Sequence, residues 1–221
     1  MNKKHNKHSI FISGGTGYIG THLVPELLKR GHFVTVLARK GSEHKVNSNA
    51  KIVVGNPLEY STFKDKLKFS DTFIQLIGTS HPSPWKTLQF KEVDLEAVRS
   101  SIKAINGSSI KHYVYMSVAH PAPVMKSYWI ARMQAEELIK KSGISATILQ
   151  PWYVLGPGHY WPYLILPLYW IMEKLPATKN TAQRLGLVTI NQMIRALVYS
   201  TENQNKGVEV IDVPTIRSFA E

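Results

Sequence analysis

Ser13-Gly14-Gly15-Thr16-Gly17-Tyr18-Ile19-Gly20 is the segment that decides the fold class of this chain. It follows the short apolar run Ile10-Phe11-Ile12 and opens a stretch with helical periodicity that ends before Gly31. Glycines at these spacings, between a strand and a helix, allow a tight turn and a close approach of the backbone to a pyrophosphate. Free N–H groups and the helix dipole would then hold the phosphates. The segment predicts a dinucleotide-binding turn; a glycine-rich turn without a ligand is the alternative.

Short apolar strands alternate with helices or loops along the first two thirds of the chain. The strands are predicted at residues 10–12, 33–37, 52–54, 73–77, 113–116 and 146–149. Because these runs are apolar throughout, they indicate a parallel sheet that is buried on both faces and joined by right-handed crossovers. The predicted fold class is α/β: a doubly wound, Rossmann-type parallel sheet in three layers (α/β/α), with a small C-terminal substrate-side region.

The alternation of strands and helices stops after Pro151. Beyond it we predict a short helix near residues 168–174, a helix at about 190–200 and a final strand at 208–213. The expected organisation is a basic tail at 1–8, an NAD(P)-binding Rossmann domain at 9–151, and a substrate-side region at 152–221 packed on the same domain.

Composition excludes several classes of protein. A chain of 221 residues with 43% hydrophobic residues is long enough for one domain with a full core, which excludes intrinsic disorder. The absence of cysteine excludes disulfides, thiolate zinc sites and a cysteine nucleophile. No histidine or carboxylate cluster has the spacing of a metal site, so no metal is expected.

The net charge of +12 raises the question of a polyanionic partner. Residues 1–51 contain nine Lys and Arg against two Glu, so the excess is concentrated around the glycine-rich turn. Because the chain has no recognised nucleic-acid motif and no interleaved basic and aromatic residues, we expect no specific nucleic-acid partner. The expected partner is a small-molecule substrate, and the chain itself is expected to be a monomer or homodimer.

A basic pair at the end of the second predicted strand bears on the choice of cofactor. A carboxylate at this position would bind the ribose hydroxyls of NAD, but the chain has Arg39 and Lys40. Two cations favour a 2′-phosphate, which predicts NADP, with NAD as the alternative. Solvated surface charges are the other interpretation of this pair.

From about residue 10 to 157 the chain resembles the atypical short-chain dehydrogenase/reductase superfamily, near the NmrA-like and NAD(P)H-binding epimerase-like proteins. The resemblance rests on the glycine-rich turn, on polar or small residues after successive strands, and on the stretch Ser142-Gly143-Ile144-Ser145-Ala146-Thr147-Ile148-Leu149-Gln150-Pro151, where Gln150 replaces the family's Arg. It implies that the cofactor is bound by Gly14, Gly15, Thr16, Gly17, Tyr18, Ile19, Gly20, Arg39, Lys40, Asn56, Gly78 and Pro151.

The family's Tyr-x-x-x-Lys appears here as Tyr128-Trp129-Ile130-Ala131-Arg132. The resemblance implies Tyr128 as proton donor or acceptor, Ser117 as the residue that orients the substrate, and Arg132 as the cation that assists the phenol. The spacing places Tyr128 and Arg132 at the polar start of an otherwise apolar helical stripe. The alternative is a packing tyrosine, with Arg132 paired to Glu136 one turn along the helix.

Aromatic residues crowd the segment after Pro151. In the family the loops after this proline shape the substrate pocket, so the resemblance implies a substrate that is hydrophobic or contains a ring. A core or protein contact is the alternative, and peripheral contact with a membrane is a further one. The predicted substrate residues are Trp152, Tyr153, Tyr160 and Trp161.

Two functions therefore follow from the sequence. The first is an NADP(H)-dependent oxidoreductase or epimerase-like enzyme; the second is a non-catalytic NADP-binding regulator or scaffold. Residues 142–172 carry no Asp, Glu, Lys or Arg, but prolines and glycines interrupt them, so we expect no transmembrane span. We read no secretion signal at the start of the chain, and a cytoplasmic location is expected.

Overall fold

A seven-stranded parallel sheet organises the molecule. The computed structural model describes residues 6–79, 88, 90–122, 125–157 and 179–219. The strands are β1 (Ser9–Ser13), β2 (Phe33–Ala38), β3 (Lys51–Val54), β4 (Thr72–Gln75), β5 (His112–Met116), β6 (Ser145–Leu149), β7 (Tyr153–Leu155), β8 (Leu187–Thr189) and β9 (Val208–Ile211). The main sheet has the order β3-β2-β1-β4-β5-β6-β9, and β7 pairs with β8 in a separate parallel ribbon.

Helices cover both faces of the sheet. They are α1 (Tyr18–Lys29), α2 (Glu96–Ile105), α3 (Lys126–Lys141), α4 (Lys179–Arg184), α5 (Ile190–Glu202) and α6 (Val213–Ser218), and a π-helical turn, Phe90–Leu95, leads into α2. The apolar faces of α1 and α5 pack in one core cluster, and those of α2 and α3 pack in the other. This three-layer arrangement confirms the predicted fold class.

The strands supply both clusters because successive side chains of a strand point to opposite faces. In β1, Ile10 and Ile12 join the cluster of α1 and α5, whereas Phe11 between them joins the cluster of α2 and α3. All three side chains are fully buried, as a central strand requires.

The order of the strands reverses at β1. Its neighbours are β2, which follows it along the chain through α1, and β4, on the opposite side. The connections after β1 and β4 leave the sheet in opposite directions, so a crevice opens above the carboxyl ends of these two strands. Ligands of open α/β sheets bind at such a switch point.

The region after Pro151 differs from the prediction in two elements. The final strand ends at Ile211 instead of residue 213, because Asp212 caps α6: its Oδ1 accepts the N–H of Thr215 at 3.0 Å. The ribbon of β7 and β8 was not predicted. The helix expected near residues 168–174 lies outside the described residues.

The predicted division at residue 151 stays a prediction, but part of the region beyond it belongs to the main sheet. β9 pairs with β6, and α5 packs against α1. Within the part of the chain that the structure describes, none of the helices has the length and apolarity needed to cross a membrane.

Candidate functional site

The glycine-rich turn folds tightly over the carboxyl end of β1. Gly14 has a φ of +90°, and the N–H of Gly17 donates to its carbonyl at 3.1 Å. A Cβ added at Gly20 would lie 2.5 Å from both the Gly14 oxygen and the Gly15 Cα, and one at Gly15 would lie 2.7 Å from a methyl group of Val36. The turn therefore needs glycine for its backbone conformation at Gly14 and for space at Gly15 and Gly20.

The first turn of α1 opens directly above this bend. Gly17 is its N-cap residue and supplies no side-chain acceptor, and the first turn contains no acidic residue. The amino-terminal N–H groups of a helix need acceptors from outside it, and the helix dipole favours an anion there. A backbone cradle that a Cβ would fill, next to an uncapped helix start, fits the phosphates of a dinucleotide.

Two adjoining cavities form a groove on either side of the turn. One has a volume of about 230 Å³ and reaches Arg39, and the other has about 240 Å³ and reaches Tyr128. Both are lined by Gly14, Gly17 and Gly78, so they share a floor at the ends of β1 and β4. The groove thus joins a basic end to a phenolic end.

At the basic end the side chain of Arg39 is exposed and lines the cavity. Lys40 is exposed beside it but does not line the cavity. Neither forms an ion pair with any residue that the structure describes. Asn56 also lines this end, where its side chain braces a turn: Nδ2 donates to Glu59 at 2.8 Å, and Oδ1 accepts the N–H of Leu58 at 3.1 Å.

The phenolic end is formed by the start of α3 and the loop after β4. Tyr128 is half-buried, its ring centroid lies 5.1 Å from that of Phe90, and it lines the cavity together with Tyr18 and Thr79. The stripe predicted for α3 is confirmed, since its members after Tyr128 are buried or half-buried.

Arg132 is buried one turn after Tyr128. Its Nη1 donates to the Met116 carbonyl at 3.0 Å and to the Tyr115 hydroxyl at 3.2 Å, and its Cζ lies 5.3 Å from the centroid of the Tyr128 ring. Nη2 lies 3.6 Å from Oδ1 of Asp94. The guanidinium therefore has a carboxylate on one side and an aromatic face on the other.

The pKa values of this ion pair reflect its burial. Burial raises the pKa of Asp94, although Arg132 and the hydrogen bonds from Thr79 oppose the change. Burial lowers the pKa of Arg132, but Tyr115, Tyr128 and Asp94 together raise it well above its ordinary value. Arg132 is thus a cation at neutral pH.

Ser117 does not line the groove. Its hydroxyl donates to Oε1 of Glu136 at 2.5 Å, and that carboxylate also accepts from Nε2 of Gln150 at 2.9 Å. His120 Nε2 lies 3.2 Å from the same oxygen. Burial raises the pKa of Glu136, but the contacts with His120, Ser117 and Gln150 outweigh this and lower it. Glu136 therefore pairs with this group instead of with Arg132, and the i,i+4 pair weighed above is not formed.

The described members of the residues predicted after β6 also lie away from the two cavities. Pro151 is buried, and its carbonyl accepts the N–H of Ala119 at 2.9 Å. Trp152 is half-buried against the core cluster of α1 and α5, and Tyr153 is half-buried in β7. Tyr160 and Trp161 lie outside the described residues.

The two cavities thus bring Arg39, Asn56, Gly78, Tyr128 and Arg132 beside the turn, of which they are lined by Gly14, Thr16, Gly17, Tyr18, Ile19 and Gly20. Gly15 lies beneath the turn against Val36. Two residues at the phenolic end, Asp94 and Thr79, were not among the predicted site residues. Nothing in the local sequence marks Asp94, because its partner Arg132 stands on a different helix.

The profile of the NAD(P)H-binding family matches residues 14–157, which include the turn, both ends of the groove and Tyr128. The chain belongs to the NAD(P)H-binding family. This confirms the resemblance to the atypical short-chain dehydrogenases and epimerase-like proteins, and it supports a nicotinamide dinucleotide as the cofactor.

Curated relatives of this NAD(P)H-binding protein include reductases and epimerases. It is 26% identical over 208 residues to a ceramide reductase from Caulobacter vibrioides, which covers 92% of this chain and 64% of the relative. It is 23% identical to a UDP-glucose 4-epimerase from Vibrio cholerae, which covers 91% and 69%. The photosystem II assembly factor Ycf39 from Synechocystis is 26% identical over 144 residues, 64% of this chain. The chain spans only 64% and 43% of the Caulobacter and Synechocystis proteins.

Solved structures show the same fold. The Bordetella bronchiseptica enzyme WbmH in complex with NAD+ superposes with a TM-score of 0.69 at 19% identity, covering 92% of this chain and 75% of that one. The UDP-glucose 4-epimerase of Thermotoga maritima also has a TM-score of 0.69, at 16% identity, covering 92% and 76%. The Rossmann-type fold of this NAD(P)H-binding protein is therefore shared with NAD-binding enzymes.

Proposed function

We propose that this chain is an NADP(H)-dependent oxidoreductase or epimerase-like enzyme that acts on a hydrophobic or ring-containing small molecule. The observation that carries the proposal is the groove formed by the two adjoining cavities. It has the exposed cation Arg39 at one end, the glycine cradle in the middle and the phenol of Tyr128, backed by Arg132, at the other end.

The groove would hold the dinucleotide in one orientation. The N–H groups at the start of α1 would bind the pyrophosphate, and Arg39 would bind a 2′-phosphate through charge-assisted hydrogen bonds. Lys40 would add to the positive potential without contacting the ligand. The nicotinamide would then lie at the other end, beside Tyr128.

The bound nicotinamide supplies or accepts a hydride. Tyr128 would complete the reaction by donating a proton to the oxygen of a carbonyl substrate, or by removing it from an alcohol in the reverse direction. An ordinary tyrosine is a poor base at neutral pH, and the guanidinium of Arg132 behind the ring would stabilise the phenolate that forms.

Ser117 is proposed as the residue that orients the substrate. Its hydroxyl hydrogen is donated to Glu136, so toward a substrate it would present only oxygen lone pairs. That polarity favours a substrate group that donates a hydrogen bond, such as an alcohol. The aromatic residues Trp152, Tyr153, Tyr160 and Trp161 are proposed as a wall of the substrate pocket, and the similarity to a ceramide reductase supports an apolar substrate.

Tyr128→Phe tests the catalytic role directly. The variant should bind NADPH within about threefold of wild type, because the hydroxyl does not hold the cofactor, and should turn over no substrate from a panel of ketones, aldehydes and sugar nucleotides. Tyr60→Phe, which alters an exposed tyrosine outside both cavities, is the matched control and should leave turnover unchanged. Turnover by Tyr128→Phe at the wild-type rate would refute the assignment.

A non-catalytic NADP-binding regulator or scaffold is the second candidate. It is favoured by the engagement of Ser117 with Glu136 and of Arg132 with Asp94, and by the similarity to a photosystem II assembly factor. Tight NADPH binding, combined with no turnover of any substrate by the wild type, would support this candidate over the enzyme.

A further inference from the structure

The floor of the phenolic end contains an ion pair that is almost fully buried. The side chains of Arg132 and Asp94 are 3% and 0% exposed, and Nη2 lies 3.6 Å from Oδ1. Removing two charges from water is costly, and their attraction offsets the cost only if further hydrogen bonds satisfy both groups. Both side chains of the pair must therefore find hydrogen-bond partners among their neighbours.

Asp94 is satisfied by the loop that lines the groove. The N–H of Thr79 donates to Oδ1 at 2.6 Å, and the Thr79 hydroxyl donates to Oδ2 at 3.3 Å. Arg132 donates to the carbonyl of Met116 at the end of β5 and, at 3.4 Å, to that of Ile77. The pair thus ties together the ends of β4 and β5, the π-helical turn and α3.

The groove is shaped around this guanidinium. A Cβ added at Gly78 would collide with Nη2 of Arg132. The Cζ of Arg132 lies 5.3 Å from the Tyr128 ring and 5.8 Å from the Tyr115 ring, so the cation sits between two phenols. Its Nε is buried and has no hydrogen-bond partner among the described residues.

We propose that Asp94 is a positioning residue, which fixes the Arg132 guanidinium against the rings of Tyr115 and Tyr128 and sets the net charge that the two phenols experience. The part of this inference that concerns proton transfer rests on the proposed function, because it takes Tyr128 as the group that handles the proton. The effect on Tyr115 and on the geometry of the pair does not depend on turnover.

A guanidinium without Asp94 would behave differently. It would be an uncompensated cation next to a groove proposed to bind an anionic cofactor. Coulomb attraction would then draw it toward the cofactor's phosphates and away from Tyr128. With Asp94 in place the pair is neutral overall, so Arg39 remains the cation that faces the ligand. Asp94 therefore separates the charge that assists the phenol from the charge that binds the cofactor.

The ionisation of Tyr115 is sensitive to the charges of Arg132 and Asp94 and can be measured without any substrate. Burial raises the pKa of Tyr115 to about 12, Arg132 lowers it, and Asp94 raises it. Asp94→Asn keeps the size of the side chain and an acceptor for Thr79 but removes the charge, so the ionisation of Tyr115 should begin about one pH unit lower. Arg132→Gln should shift it in the opposite direction. The signal is the ¹³Cζ resonance of labelled tyrosine, assigned with Tyr115→Phe.

The contact with Tyr128 is measured in the same spectra. Its resonance, identified as the one lost in Tyr128→Phe, should move in both Asp94→Asn and Arg132→Gln. It should stay in place in Glu137→Gln, a control that removes an exposed carboxylate from α3. If the enzyme also turns over a substrate, Asp94→Asn should lower kcat at least tenfold without weakening NADPH binding. An Asp94→Asn protein that titrates like wild type, with the Tyr128 resonance unmoved, overturns the proposal.

Two further variants test the proposal even if Asp94→Asn does not fold. If Asp94→Asn fails to fold, the double variant Asp94→Asn/Arg132→Gln should fold and resist urea better than either single variant, because it leaves no unpaired buried charge. The single substitution Gly78→Ala, which keeps both Asp94 and Arg132, should displace the guanidinium and shift the Tyr128 resonance. A double variant less stable than both single variants, or a Gly78→Ala protein with an unmoved Tyr128 resonance, overturns the proposal.

Discussion

The substitution Gly20→Ala tests whether the turn requires glycine for space, because helix propensity alone would favour alanine at this position. Gly20 lies inside α1, where alanine is intrinsically better than glycine by about 1 kcal/mol. Its Cβ, however, would lie 2.5 Å from the Gly14 oxygen and 2.6 Å from the Gly15 carbonyl carbon. These are backbone atoms that no rotamer change can move, so the turn must open by roughly 1 Å to reach ordinary van der Waals contact. The N–H groups proposed to bind the pyrophosphate would then move out of hydrogen-bonding distance.

The loss can be estimated from the contacts involved. A hydrogen bond to a charged group is worth about 1.5–3 kcal/mol, so losing two of them weakens NADPH binding by at least about 100-fold. Nicotinamide fluorescence titration measures this. Gly17→Ala is the matched control: its Cβ meets only the Gly14 oxygen, at 3.3 Å, and binding should fall by less than tenfold. A Gly20→Ala protein that binds NADPH as tightly as Gly17→Ala would refute the steric argument.

Two further predictions concern stability. His112 is buried, and its pKa is lowered to about 4, mainly by burial. The stability that this neutral histidine contributes is complete above pH 6.5 and is lost as the pH falls toward 4, by up to about 3 kcal/mol at roughly 1.4 kcal/mol per pKa unit. His112→Gln should flatten the dependence of urea unfolding on pH over this range, and an unchanged slope would contradict the assignment. In the capping box of α5, Thr189 Oγ1 accepts the N–H of Gln192 at 3.2 Å. Thr189→Ala removes this contact and should lower the free energy of unfolding by about 1 kcal/mol without altering NADPH affinity. An unaltered unfolding midpoint would argue against this contribution of the cap.

Much of the fold was predictable because its signals are local. The strands of the main sheet are apolar runs, and the helix after the turn ends at Lys29, two residues before Gly31, whose φ is +83°. The ribbon of β7 and β8 was missed because each strand has only three residues, and its partner is far along the chain. The strand predicted at 208–213 was too long because the apolar pattern continues through Val213, although Asp212 followed by Pro214 is a helix-start signal.

The site was predictable only where a residue type alone defines the chemistry. The glycines have a spacing that implies phosphate binding, and Arg39 follows from the end of β2. The environment of Arg132 was not predictable, because local spacing offered Glu136 as its partner, whereas the folded chain gives that carboxylate to Ser117, His120 and Gln150. Arg132 turns instead toward Asp94, which only the packing of α3 on the π-helical turn brings near.

We propose that the groove binds a nicotinamide dinucleotide and that Arg39 selects the phosphorylated form. A fluorescence titration of wild type and Arg39→Glu with NADPH and with NADH tests it most directly. We predict that wild type binds NADPH at least tenfold more tightly than NADH, and that Arg39→Glu loses this preference through weaker NADPH binding while NADH binding stays the same. Equal binding of the two cofactors by wild type would contradict the selectivity, and binding of neither would contradict the account of the groove itself.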